Sequence, residues 1–143
     1  MSSYNTIPDT AIRQGLITAL AGIGTPIYDE EVPKTVIPIP AQRVLMTSQN
    51  TTQHDTSKCG HMWMSDIMLD IVSEHDQGYS DRAVPEAILN AINLIIDTLD
   101  SIGIPGFIVY NTQVLNIRDL SVQTPTKTIN RKLARYQFLL GPS

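Results

Sequence analysis

Residues 80–103 form the longest helical pattern of the sequence, and the remaining elements must together provide the surfaces against which it packs. Apolar residues recur there every three or four positions, as on one side of an α-helix. They are Val84, Ala87, Ile88, Ala91, Ile92, Ile95, Leu99 and Ile102. Pro85 falls in the first turn, where its missing N–H is harmless, and Gly103 followed by Pro105 ends the pattern. The sequence therefore predicts one long helix here.

The apolar surface of this helix is wider than a single sheet needs. Leu89 and Ile96 widen the apolar stripe, so that polar residues remain at only a few positions of the helix surface. These positions are Glu86, Asn90, Asn93, Asp97 and Asp100. We assign Val84, Ile88, Ile92, Ile95 and Leu99 to the core of the subunit. Leu89 and Ile96 remain as candidates for a contact with another molecule.

The composition favours a folded protein with few surface charges. The chain has 143 residues, 42% of them apolar and only 17% charged, below the usual ~25% for soluble domains. We expect one domain over residues 1–143, with ends at 1–6 and 141–143 that are flexible or order on assembly. The net charge of −4 argues against a dedicated nucleic-acid binder. Low charge is typical of a chain that buries part of its exterior in an assembly.

The sequence predicts folding in the cytosol without disulfides. Cys59 is the single cysteine, so no disulfide can form within the chain. The first ten residues lack the basic and apolar parts of a signal peptide. No window approaches the ~18 apolar residues of a membrane span, and we expect no contact with a membrane.

The first half of the chain predicts a helix followed by strands. Residues 7–22 form an amphipathic helix, and residues 26–28 a short strand that leads to the acidic turn Asp29, Glu30 and Glu31. Prolines exclude a helix at 36–40, and a strand begins at Gln42. The twelve residues 47–58 carry no apolar side chain, which predicts a long, exposed hairpin loop. Residues 61–73 are apolar on both faces, as in a central strand.

The second half adds two strands after the long helix. Residues 107–122 are rich in β-branched and aromatic residues, with candidate breaks at Asn111 or Asn116. Residues 130–140 favour a strand over a helix, because apolar residues alternate up to the tight end at Gly141 and Pro142. The order α-β-β-β-α-β-β predicts an α+β fold, a mainly antiparallel sheet of about five strands with two helices on one face and a long β-hairpin loop.

The sequence gives no positive support for an enzyme. Cys59, His61 and His75, with His54 nearby, are the residues available for a metal site or for a cysteine nucleophile with a histidine base. They lack the spacing of a known zinc motif and the strained turn of a nucleophile. Asp66 and Asp70 would share a strand face about 13 Å apart, too far to act on one bond. We predict no catalytic, metal or cofactor site, with a small metal-dependent enzyme or ligand-binding domain as the alternative.

Charges are distributed unevenly along the chain. Four of the ten basic residues follow Asp119, where no acid occurs: Lys127, Arg131, Lys132 and Arg135. The acidic turn is their compact counterpart. Either both are solvated faces, or they meet across a subunit boundary, where complementary charges set the register of the contact.

Several segments of the sequence form a characteristic series. They are GTPIYDEEVP after the first helix, the polar hairpin, KCGHMWMSDIMLDIVSEHDQGYSDR, AILNAINLI and TKTINRKLARYQFLL. Together they resemble the tail-terminator, tail-completion and neck-ring proteins at the head–tail junction of bacteriophages. Order and spacing carry the resemblance, which covers most of residues 10–140. TVIPIPAQRVLM departs from it, because the family commonly has Pro-Tyr and a smooth apolar strand there.

The resemblance implies a structural virion protein without catalysis, which forms a hexameric or dodecameric ring around the DNA passage. Expected partners are copies of the same chain and adjacent neck, portal-adaptor or tail proteins, while DNA passes through without specific binding. The expected location is the head–tail junction of the virion. A ring needs two different surfaces on each subunit.

We assign those two surfaces as follows. Leu89, Ile96 and the acidic turn would form one side, and Arg131 with Arg135 the other side or a contact to the next ring. The predicted loop would project toward the lumen or an adjacent ring and become ordered on assembly. Its candidate residues are Gln49, Asn50, Thr51, Thr52, Gln53 and His54.

Overall fold

The computed structural model describes residues 7–57, 60–76, 83–98 and 104–142, which form two helices and one five-stranded sheet. The elements in order are α1 (Asp9–Leu20) with a 3₁₀ turn (Ala21–Ile23), β1 (Ile27–Asp29), β2 (Gln42–Ser57), β3 (Gly60–Asp76), α2 (Ala83–Ile96), β4 (Phe107–Gln123) and β5 (Lys127–Pro142). The predicted α+β class and element order are confirmed.

The strands lie in the order β1-β2-β3-β5-β4. β1 pairs with β2 in parallel, and the other three pairings are antiparallel. β3 lies in the middle of the sheet, as its two apolar faces predicted. It pairs with β5 over fourteen positions, from Trp63 opposite Leu140 to Asp76 opposite Lys127. This long central pairing fixes which residues of both strands share a face.

The predicted hairpin loop at 47–58 is wrong, because Thr47 to Ser57 belong to β2. The backbone of this polar segment pairs with β3 from Gln49 opposite Ile67 to Ser57 opposite Gly60. Polarity excluded a place in the core, but a strand that is exposed on one face needs only its backbone hydrogen bonds and residues such as threonine that favour extended structure. The two strands form one long hairpin arm.

The breaks expected in β4 are register shifts within a continuous strand. They lie between Val109 and Asn111 and between Val114 and Asn116, next to the two predicted positions. Each inserts an extra residue on β4 relative to β5, which locally bends and twists a strand. β4 therefore continues over 17 residues.

Both helices lie on one face of the sheet, as predicted. α2 contacts β3 and β5, and α1 contacts β1 and β2. The strand residues below them include Ile67, Leu69, Tyr136 and Phe138, all fully buried. The hydroxyl of Tyr136 donates to Oδ1 of Asn93 on α2 at 2.5 Å, which links the helix to the central strands. Burial, together with the charge of Asp97, raises the pKa of Tyr136, so this hydroxyl keeps its proton.

The division of α2 into a core stripe and a leftover pair is wrong. Leu89 and Ile96 are only 4% and 2% exposed and belong to the core with Ile88 and Ile92. Val84 and Ile95, which we placed at the centre of the stripe, lie half-buried at its border. The reason is tertiary, because α1 packs beside α2 and covers the flank that a bare sheet would leave open.

The remaining predictions for the helices and chain ends have mixed outcomes. Leu99, Ile102 and the predicted ends of the long helix at 80–82 and 99–103 lie outside the described residues, as do residues 1–6. Gly141 and Pro142, which we expected in a flexible end, instead finish β5 and pair with β4. Neither described helix is long and apolar enough to cross a membrane.

Truncating Leu89 tests its position in the core. Leu89→Ala should lower the free energy of unfolding by about 2–5 kcal/mol, because it removes buried methyl groups and leaves a cavity. The matched control is Leu94→Ala on the same helix, whose side chain is 73% exposed. We expect that change to stay within about 0.5 kcal/mol. Urea unfolding of dilute protein measures both, and equal losses would contradict the packing described.

Candidate subunit interface and helix-free sheet face

β4 forms one outer edge of the sheet and exposes apolar side chains on both faces. Val114 and Ile117 point to the side that carries the helices, and Leu120 and Val122 point to the opposite side. These four side chains are between 39% and 47% exposed. Natural edge strands are normally protected by lysine, proline or a covering element. β4 contains neither lysine nor proline; its charged residues are Arg118 and Asp119, and its two register shifts are the other feature that interrupts this edge.

The reach of the helices explains this exposure. α2 lies over β3 and β5, and α1 lies over β1 and β2. Only the first residues of β4, such as Phe107 and Val109, enter the core. Beyond the first register shift the strand lies past the edge of the helical layer. Its apolar residues are thus the part of the sheet that the subunit does not cover.

The other outer edge of the sheet belongs mainly to β2. β1 covers only Val44, Leu45 and Met46 of that strand. Within the described part of the chain, no strand pairs with the outer side of β2 from Ser48 to Ser57. At ~3.3 Å per residue this free edge is about 30 Å long.

Polar side chains of β2 anchor α1 to this edge. Thr51 donates to Oδ1 of Asp9 at 2.6 Å, and Gln49 contacts Ser65 of β3. Arg13 of α1 donates to Oε1 of Gln49 and to the carbonyl oxygen of Thr47, both at 2.8 Å. Gln49 and Thr51, predicted in a projecting loop, therefore hold the N-terminal helix on the sheet.

The face opposite the helices carries a ladder of ion pairs between β3 and β5. Three acids of β3 lie four residues apart, Asp66, Asp70 and Glu74, and three cations of β5 have the same spacing, Lys127, Arg131 and Arg135. Since the strands are antiparallel, each acid meets a cation on the diagonal. The pairs are Asp66 with Arg135, Asp70 with Arg131, and Glu74 with Lys127.

The middle and end of this ladder hold the strongest contacts. Both carboxylate oxygens of Asp70 accept from Arg131, and Asp70 is only 1% exposed. These hydrogen bonds, which Arg131 donates to Asp70, raise the pKa of Arg131. Arg43 of β2 binds Glu74 from the other side. Burial alone would raise the pKa of Glu74, but Arg43 and Lys127 outweigh it and lower that pKa below its ordinary 4.5.

This helix-free face has a depression between its four long strands. It measures about 280 Å³ and is lined by residues from all four, among them Leu45 of β2, Val72 of β3, Ile129 of β5 and Val122 of β4. Val72 is only 3% exposed although no helix covers it, because Arg43 and Arg131 stand directly beside it on the neighbouring strands.

The acidic turn lies beside β1, next to the free edge of β2. Asp29 forms an ion pair with Arg13 of α1. Glu30 and Glu31 are exposed, and the backbone N–H of Glu30 donates to the carbonyl oxygen of Met46 at 2.7 Å. Glu30 has a φ of 70°, a conformation that non-glycine residues seldom adopt.

Arg131 and Arg135, predicted for the opposite side of a subunit contact, each hold an acid of β3 within the same chain. Arg135 also donates to Ser48 of β2 at 3.2 Å. The sequence analysis missed these partners. Part of the signal was available, because Asp66 and Asp70, like Arg131 and Arg135, lie four residues apart in two segments that we had assigned to strands.

The residues of the alternative metal or nucleophile site are only partly described. Cys59 and the side chain of His61 lie outside the described residues. His75 contacts Oγ of Ser73 at 2.7 Å through Nε2. Among the described residues, no three histidine, cysteine, aspartate or glutamate side chains cluster as metal ligands would.

Comparison with known proteins gives a shared fold. No protein-family model matches the sequence, and no curated protein matches it. Among solved structures, a chain from the virion of a native gene transfer agent particle is similar with a TM-score of 0.67. The similarity covers 94% of this chain and 99% of that chain at 13% sequence identity. The overall fold is thus one that a chain of this virion also has.

The pH dependence of stability should reveal the contacts of Glu74. Because its pKa is lowered in the folded state, the ionised carboxylate stabilises the fold above about pH 4.5, and this contribution disappears as the pH falls further. Wild type should therefore resist urea better than Glu74→Gln near neutral pH, and the difference should vanish on acidification. Glu86→Gln, at an exposed position of α2, should show no comparable difference. A gap that persists in acid would exclude an ionic origin.

Proposed function

We propose that this chain is a structural virion protein that forms a homo-oligomeric ring at the head–tail junction of a phage-like particle, where it joins the connector to the tail around the DNA passage. The fold shared with a chain of the gene transfer agent virion over nearly the full length of both supports a virion role. The features of the sheet edges support the ring.

The observation that carries the ring is the presence of two unlike free edges at opposite sides of one sheet, β4 and the outer half of β2. A ring is a head-to-tail assembly in which each subunit uses one surface to bind a different surface of its neighbour. Two edges that together offer unpaired backbone groups meet this requirement. We propose that β4 of one subunit pairs with β2 of the next.

The directions of the strands agree with this pairing. β2 and β5 run one way, and β3 and β4 run the other way. Rotation about an axis roughly along the strands keeps every direction unchanged. The neighbour's β2 therefore arrives antiparallel to β4, which continues the alternation of the long strands and gives the slightly more stable type of ladder.

The exposed apolar residues of β4 would be covered in such an assembly. Val114 and Ile117 would extend the helix side of the sheet toward α1 of the next subunit, and Leu120 and Val122 would join its opposite face. Burial of apolar surface contributes about 25 cal/mol per Å² before the cost of association. A free subunit keeps this surface in water, which favours assembly.

The charges of the two edges are also complementary. Glu30 and Glu31 lie exposed beside the β2 edge, and Arg118 lies exposed on β4. Arg131 and Arg135, which we first assigned to this role, are engaged within the subunit. We therefore propose Arg118 as the partner of the acidic turn, a contact that fixes register and weakens in salt.

The width of the resulting barrel favours six copies. Four long strands from each of six subunits give about 24 strands, and at ~4.8 Å spacing and ~40° tilt the backbone circle is about 48 Å across. Inward side chains reduce this by roughly 10 Å, the thickness of a packed layer. Twelve copies would double the backbone diameter. The smaller ring encloses a duplex without a wide gap, so we propose the hexamer.

Particle mass tests the proposal directly. Light scattering on the purified chain should give a concentration-dependent mass that approaches six subunits, and electron micrographs should show closed rings. High salt should weaken assembly through the charged contact without removing it, because backbone pairing and apolar burial remain. A chain that stays monomeric at high concentration would refute the ring.

A pair of proline substitutions tests the edge itself. Neighbouring residues of a strand direct their N–H groups to opposite sides, so one of Leu120 and Ser121 donates toward β5 and the other toward the free edge. We expect Leu120→Pro and Ser121→Pro to differ. One should lower the melting temperature strongly, and the other should fold but stay monomeric, because an edge tolerates proline yet cannot then extend the sheet. Rings from the well-folded variant would contradict pairing at β4.

A further inference from the structure

On the helix-free face, the described cations of three strands are paired with acids. Its described side chains on β2, β3 and β5 include four cations, a number that would bind phosphates if they were free. They are Arg43, Lys127, Arg131 and Arg135, and the acids of the same face are Asp66, Asp70, Glu74 and Asp76. All four are held by acids of β3. Arg118 of β4 lies on the same face, opposite Leu133, and is the cation that we assigned to the acidic turn of the next subunit.

We propose that this face lines the DNA passage of the ring, and that the β3 carboxylates keep its arginines and lysine from the phosphates so that duplex DNA slides past without binding. This inference rests on the proposed ring. The helices lie on one face of the sheet. When the sheet continues around a ring, this bulkier layer fits on the outside, where the circumference is larger, and the helix-free face turns toward the axis.

The ion pairs repeat along the strands, so the cations are neutralised along the length of the passage. From Asp66 to Glu74 the acids span about 26 Å of strand, with one ion pair every four residues. A cation whose acid lies beside it gains little by moving to a phosphate, because it must first give up a hydrogen-bonded carboxylate. The wall therefore offers no row of free cations that could hold a stationary duplex.

The residues between the ion pairs support the same role. Met68 and Val72 of β3 and Leu133 and Ile129 of β5 alternate with the charged pairs on this face. Their side chains have no group that can hydrogen-bond to DNA. A specific DNA-binding face would instead present free arginine, lysine, asparagine or glutamine groups at fixed positions.

Removal of the carboxylates should convert the passage into a DNA-binding surface. Rings of the full chain with Asp66→Asn and Asp70→Asn would free Arg135 and Arg131, the second of which is already 40% exposed. We expect at least about tenfold tighter binding of a linear duplex than for wild-type rings, falling steeply with salt. The milder Asp66→Asn alone serves if the double variant assembles poorly, since Asp66 is partly exposed and its contact with Arg135 measures 3.6 Å.

Two controls separate the lumen from the outer surface. Glu86→Gln on α2 with Asp97→Asn just after its end makes the same charge change at exposed positions on the helical side, and should leave binding unchanged. Asp70→Asn with Arg131→Gln removes a whole ion pair and should also leave it unchanged. In addition, a duplex with bulky groups on both ends, added to preformed rings, should not bind the Asp66→Asn, Asp70→Asn ring, because it cannot thread.

The outcomes separate this inference from the ring. Tight binding of the free-ended duplex alone, restricted to the carboxylate variants, supports it. Equal binding of the blocked duplex, equal binding by the α2 control, tight binding by wild type, or no gain in any intact variant ring would overturn it, while the ring itself would stand. Absence of rings in wild type refutes the proposed function instead.

Discussion

The pairing of β3 with β5 is the interaction on which the rest of the structure depends. Their fourteen paired positions set the register of the sheet, and every residue of both strands is thereby assigned to one of two faces. One face receives the helices, with Ile67 and Tyr136 under α2. The other face brings acids beside cations. A slip of one residue would turn one strand over relative to the other and place either Asp70 in the core or Tyr136 in water, so the core and the ion pairs enforce the same register.

The same pairing leaves β4 outside the layer that the helices cover. Two helices of 12 and 14 residues cover the inner strands, whereas β4 has 17 residues and only the first of them lie under this layer. A lone subunit thus keeps an apolar strand edge exposed. At the other side β1 covers three residues of β2 and no more. The short β1 and the limited helical layer together leave the two unlike edges that our proposal joins.

Sequence patterns predicted the helices and strands better than they predicted which parts of the chain cover each residue. The alternation of apolar residues identified β3 and β5, and the content of β-branched and aromatic residues identified β4. The polar segment of β2 was misassigned because hydrophobic pattern is a signal of burial, and a strand held by its backbone alone need not carry it. Leu89 and Ile96 were misplaced for the converse reason. Their apolar character was evident, but the flank that covers them is built by α1, which is distant in sequence.

The sequence by itself determined the class and order of the elements, the central place of β3 and the wealth of apolar surface on α2, because these follow from local periodicity and turn residues. Only the tertiary structure decided which charges meet and which strand stays uncovered. Arg131 and Arg135 illustrate the difference. Their spacing is visible in the chain, but their partners on β3 lie some sixty residues away, and only the antiparallel register brings the two repeats together.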